Sequence, residues 1–113
     1  MTTTTIFSSV SYNQNINGIA PLPAPTIVNA GGLVTQRVYT LTVTPSTGWA
    51  KAAIKEGPDG VNFPRGAEVF VAPNSGGTAT DGFAGLIDPP IQYFSGEVLE
   101  VSPGATATLT VTY

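Results

Sequence analysis

The sequence predicts an all-β protein, a single small β-sandwich or barrel-like domain with an extended N-terminal arm and a C-terminal hairpin. Three observations carry that expectation. First, the 113 residues include 16 threonines, 11 valines, 13 glycines and 10 prolines. β-Branched side chains suit a pleated surface, and the strong helix formers are scarce. Second, several segments alternate apolar and polar residues with the period of two that marks a half-buried strand. Third, turn signals recur every ~8–15 residues, the spacing of a sandwich or small barrel.

A chain of this length makes one compact unit with one core. Its organisation is expected to be an arm over residues 1–20, a linker over 21–25 and a body over 26–113. The first 36 residues, Met1 to Gln36, carry no charged side chain, and neither do the last 13, Val101 to Tyr113. An uncharged tract holding Ile6, Phe7 and Val10 would be sticky if left in water. The arm is therefore expected to dock on another surface, with Ile6, Phe7, Val10 and Tyr12 as its contact residues. Edge-strand addition, in which main-chain hydrogen bonds supply affinity without charge, is the mode expected. Pro21-Leu22-Pro23-Ala24-Pro25 favours an extended polyproline II course and divides arm from body. Residues 26–36 read as the first strand and turn of the body, with Gly31-Gly32 as the bend.

Val38 to Thr44 sets Tyr39, Leu41 and Val43 against Thr40 and Thr42, and Pro45 ends that strand by removing a ladder donor. Trp49 to Glu56 fits either a short helix, capped by Thr47 and Gly57, or a strand with Trp49, Lys51, Ala53 and Lys55 on one face. Its neighbours favour the strand. Gly57-Pro58-Asp59-Gly60, Phe63-Pro64-Arg65-Gly66 and Asn74-Ser75-Gly76-Gly77 mark turns around a strand over Glu68 to Ala72. Ser102-Pro103-Gly104 fits a type II turn between Glu97–Val101 and the alternating Ala105–Tyr113, which predicts the C-terminal hairpin.

Charge narrows the function. Only 10% of the residues are charged, and the net charge is −3. Arg37, Lys51, Lys55 and Arg65 precede residue 66, whereas Glu68, Asp81, Asp88, Glu97 and Glu100 follow it, a split that either favours head-to-tail contacts or is scattered by folding. With no basic cluster, nucleic acid is not an expected partner. The start, Met1 followed by four threonines, lacks the basic and apolar regions of a secretory signal, and no apolar run approaches the ~18–20 residues of a membrane span. A protein made and used in solution, or exported by an unwritten route, is expected.

Chemistry is narrowed further. The chain has neither cysteine nor histidine, so disulfides, thiolate metal sites and nucleophilic triads built on histidine are excluded. No phosphate-binding loop is written. Carboxylate pairs of the glycosidase kind reduce to Glu97 with Glu100, or Asp81 with Asp88. The first pair, three residues apart on a strand, is expected on opposite faces. Asp59, Asp81 and Asp88 lack the spacing of a calcium loop. No enzyme activity, cofactor or metal is expected. Trp49, Phe83, Tyr93 and Phe94 are candidate contact aromatics, each also readable as core. The row Thr106, Thr108, Thr110, Thr112 looks like one strand of an ice-binding face. Such faces stack many matching strands, and the pattern here supplies one or two.

The stretches Met1-Thr2-Thr3-Thr4-Thr5 and Gly96 to Gly104, with the overall character of the chain, resemble the small all-β decoration (cement) proteins of tailed bacteriophage capsids. The resemblance covers the whole chain by composition and includes no diagnostic motif. It implies a structural virion protein, assembled in the host cytoplasm, that binds the outer capsid surface as a homo-oligomer. Its partners would be the major shell protein or copies of itself. The alternative is a carbohydrate-binding or adhesin-like module in which Trp49, Tyr93 or Phe94 stacks on sugar rings.

Overall fold

The computed structural model describes residues 2–11, 26–84 and 91–113. They form eight strands: β1 (Thr3–Ser11), β2 (Thr26–Val34), β3 (Gln36–Thr44), β4 (Ala50–Gly57), β5 (Arg65–Val71), β6 (Thr78–Ala84), β7 (Ile91–Val101) and β8 (Thr106–Thr112). Two four-stranded antiparallel sheets result, the first ordered β1-β8-β3-β6 and the second β2-β7-β4-β5. This is the strand order of an eight-stranded jelly roll. Only β4 and β5 are consecutive strands joined within one sheet; every other pair of successive strands divides between the two sheets. None of the described residues is helical, so no described helix is long and apolar enough to cross a membrane.

Alternation builds the core. Tyr39, Leu41 and Val43 of β3, Ala50, Ala52 and Ile54 of β4, Val69 and Val71 of β5, and Ala107, Leu109 and Val111 of β8 all point inward and are buried. Each large aliphatic among them contributes ~1.5–3 kcal/mol by leaving water. The expected faces of 38–44, 49–56 and 68–72 are thus present, and 50–57 is a strand. Lys51 and Lys55 point outward from it while Ala52 and Ile54 point in.

Two expectations are corrected. Residues 3–11 are not an arm: β1 is an edge strand of the chain's own first sheet, paired from Thr3↔Thr112 to Ser11↔Thr106. Its lack of charge reflects packing on this chain, since Ile6 is buried and Phe7 and Val10 lie against the same core. Two register shifts, with Ser9 at φ +51°, bring Phe7 opposite the inward Leu109, so that it joins Ile6 and Val10 against the core, and they blunt the edge. Residues 12–25, with Tyr12 and the linker, lie outside the described residues.

The second correction concerns the C-terminus. Ser102 to Ala105 is the expected tight turn, with Gly104 at φ +80° and the Ala105 amide donating to the Ser102 carbonyl at 3.1 Å. However, β7 belongs to the second sheet and β8 to the first. The turn is an arch between sheets and no hairpin forms, because both strands already have closer partners in β4 and β3. The Gly31 bend is present inside β2, where Asn29 Oδ1 accepts the Gly31 amide at 2.8 Å and the β2–β7 register shifts.

Candidate interaction surfaces

Arg37 and Tyr39 share the inward parity of β3, and Glu56 shares that of β4, so the two sheets meet at these three side chains. Arg37 Nε donates to Glu56 Oε2 at 2.5 Å and Nη2 donates to Oε1 at 2.8 Å, a bidentate pair. The Tyr39 hydroxyl donates to Glu56 Oε2 at 2.5 Å. Burial, reinforced by the hydrogen bond and charge of Glu56, pushes Tyr39 far above the usual phenol range. For Arg37, burial alone would lower the pKa, but the Glu56 carboxylate outweighs it and holds the guanidinium above its ordinary value. With Arg37 at 1% exposure, Tyr39 at 0% and Glu56 at 4%, no substrate reaches this cluster. It ties sheet to sheet.

The candidate aromatics separate. Phe94 is fully buried, edge-on to Tyr39 at 6.1 Å and tilted on Tyr113 at 5.4 Å. That corrects its reading as a contact residue: it is core. Trp49 is half-buried just before β4, held by backbone exchange with Ser102, whose amide donates to the Trp49 carbonyl at 2.9 Å and whose hydroxyl accepts its amide at 3.0 Å. Tyr93 is half-buried opposite Gly57, at the other end of β4. Eight residues of strand, ~26 Å, separate the two, so they do not form one stacking platform. Phe83 pairs with Arg37 along the β3–β6 ladder, and its side chain lies outside the described residues.

The acidic residues also rearrange. Lys51 pairs with Glu100 and Ala52 with Val98, so Leu99 is an extra residue in β7. This bulge turns Val98 and Val101 both inward, and it leaves Glu97 and Glu100 together on the outer face, correcting the expectation of opposite faces. That outer face of the second sheet also carries Lys51, Lys55 and Glu68, with Lys51 Nζ 3.5 Å from Glu68 Oε1. The charge split along the chain therefore dissolves into an interleaved face. Asp59 sits in the β4–β5 loop, Asp81 opposite Tyr39, and Asp88 outside the described residues. No group of three or more acidic side chains able to hold a metal occurs among the described residues.

The outer face of the first sheet is of a different kind. Following the ladders gives the rungs Thr3–Thr112–Val38–Gly82, Thr5–Thr110–Thr40–Thr80, Thr108–Thr42–Thr78 and Ser11–Thr106–Thr44. Eleven of the sixteen threonines lie here, exposed or half-buried, and no described charged side chain lies among them. Thr3 and Thr112 link their hydroxyls at 2.9 Å, and Thr108 Oγ1 accepts the Ser9 amide at 2.9 Å. Four strands match where the pattern of Thr106–Thr112 alone showed one. The T-x-T repeats at 3–5, 40–44, 78–80 and 106–112 were the available signal, and only the topology brings them side by side.

No protein-family model matches the chain, and no curated protein is significantly similar to it.

Proposed function

We propose that the chain is a non-enzymatic structural protein, a decoration or cement protein that binds the outside of a virion shell and stabilises it. The observation that supports this reading is a jelly-roll body whose coupled ionisable groups, Arg37, Tyr39 and Glu56, are sealed between the sheets, leaving broad faces as its means of interaction. Jelly rolls serve in capsids and in lectins alike, so the fold narrows the role without assigning it. The lectin alternative would rest on Trp49 or Tyr93 singly, each half-buried at its own end of β4, since Phe94 is core.

Purified virions of the phage that carries the gene provide the test. Mass spectrometry and immuno-electron microscopy are expected to find many copies on the particle exterior, and particles lacking the chain should break at lower temperature. Absence of the chain from purified particles, or binding on a glycan array that Trp49→Ala abolishes, would overturn the reading.

A further inference from the structure

We infer that two copies of this protein associate face to face through the outer surfaces of their first sheets, threonine lattice against threonine lattice about a two-fold axis. The pairing holds whether or not the protein decorates a virion.

Charge selects the face. The outer face of the second sheet carries Lys51 and Lys55 among Glu68, Glu97 and Glu100, so two copies meeting there would have to desolvate charges of both signs and match each to a partner. Charges left unmatched in such a contact are costly. The outer face of the first sheet carries no described charge, so there two copies can approach closely without that cost.

Shape selects the occupant. Strands β8, β3 and β6 pair without a register shift, so Thr108, Thr110, Thr40, Thr42, Thr78 and Thr80 form a regular central block. Neighbouring strands in a sheet rotate by ~20–25°, which takes this block out of register with any flat crystalline lattice, ice included. A second copy has the same hand of twist, and two twisted sheets pack at ~30° with side chains interleaved. The molecule measures 38 × 29 × 19 Å, and a sandwich is thinnest across its sheets. Its broad face therefore suits the ~800 Å² per partner that a stable interface needs.

Side-chain chemistry agrees. Threonine is stiff at χ1 and loses little rotamer freedom when covered, its methyl groups can interdigitate, and hydroxyl pairs such as Thr3–Thr112 show how the polar atoms are satisfied across strands. The exposed large apolar residues among those described are dispersed: Val38 lies on the threonine face itself, Ile27 and Leu33 on β2, Phe70 on β5 at the opposite edge of the second sheet, and Val61 in the β4–β5 loop.

Sedimentation equilibrium of the full chain from about 1 µM to 1 mM reads the association. The expected result is a monomer–dimer equilibrium in that range, weakened at least tenfold by Thr40→Lys with Thr110→Lys and unchanged by Ala53→Lys on the other face. Circular dichroism confirms that each variant is folded. Because the chain has no cysteine, Thr110→Cys supplies a second measure: it should oxidise to a covalent dimer, and Ala53→Cys should not. A monomer at 1 mM, a dimer indifferent to the paired lysines, or crosslinking through Ala53→Cys would overturn the proposal, as would a monomer that partitions into growing ice.

Discussion

Arg37 of β3 and Glu56 of β4 clasp each other across the sandwich through two hydrogen bonds of 2.5 and 2.8 Å, with almost no exposure to water. A charge pair in this position is stable only as a pair. Removing one partner strands the other, at a cost of about 3–5 kcal/mol, whereas replacing the whole set by apolar residues of similar volume is often neutral or stabilising. Glu56→Ala is therefore expected to lower unfolding stability by about 3–5 kcal/mol in urea titration. The combined Arg37→Met, Tyr39→Phe, Glu56→Leu variant should recover most of that loss. A triple variant weaker than Glu56→Ala would show that the cluster does more than join the sheets.

Tyr39 makes the same cluster sensitive to alkali. Burial and the Glu56 carboxylate raise its pKa above the ordinary value of 10.0, so the folded state holds the phenol proton more tightly than the unfolded state. Its stabilising contribution is fully present below pH 10 and is lost as pH rises beyond it. Asp59 has the opposite sign. Amides of Asn62 and Val61 hold its carboxyl below 3.8, so what it adds to stability is present above that value and fades as pH falls through its lowered pKa. Melting temperature against pH should drop above pH 10 for the native chain, and less steeply for Tyr39→Phe. Equal alkaline slopes would remove Tyr39 as the cause.

Ile6 distinguishes a built-in strand from an arm. It is 2% exposed and packed in the core, and truncating a buried isoleucine costs about 2–5 kcal/mol. Ile6→Ala should destabilise by that amount, and Ser8→Ala, at an exposed position of the same strand, by less than about 0.5 kcal/mol. Deletion of residues 1–11 should unfold the domain by circular dichroism. A deleted chain that stays folded would restore the arm.

Legibility followed the range of the physics involved. Period-two alternation is local, so β3, β5 and β8 could be read from Tyr39-Leu41-Val43, Val69-Val71 and Leu109-Val111. Pairing is not local. Nothing within Glu97–Tyr113 says that β7 and β8 take other partners in different sheets, so a sound turn at Pro103-Gly104 produced a false hairpin. Likewise, absence of charge in Thr3–Ser11 has two physical causes, a partner's surface or the chain's own core, and local sequence does not separate them. The buried cluster did leave a trace. Arg37 falls at the inward parity of Tyr39, and Glu56 at that of Ala52 and Ile54, so each breaks an apolar face, and such a break calls for a partner. The first of these breaks lies before Val38, where the clean alternation begins, and β3 itself starts at Gln36. The bulge at Leu99 left no local trace, and it alone decides which way Glu97 and Glu100 point.

Gly57 closes β4 where the β4–β5 hairpin begins, and the chain returns almost onto it. A Cβ at Gly57 would stand 2.0 Å from the Asn62 carbonyl oxygen and 3.1 Å from the Phe63 Cα. Those are backbone atoms, and Asn62 is itself fixed by donating its amide to Asp59 Oδ1 at 2.6 Å, so relaxation must displace the loop. Gly57→Ala is expected to cost about 3 kcal/mol, the upper end for overpacking. Gly32 is the matched control: nothing lies within 4 Å of its Cβ position and its φ is ordinary. There alanine restricts only the unfolded chain, so Gly32→Ala should be neutral or stabilise by up to about 1 kcal/mol. Chemical denaturation of the two variants side by side reads the difference. Equal stabilities would mean that the 57–63 loop yields freely, contrary to its hydrogen bonding.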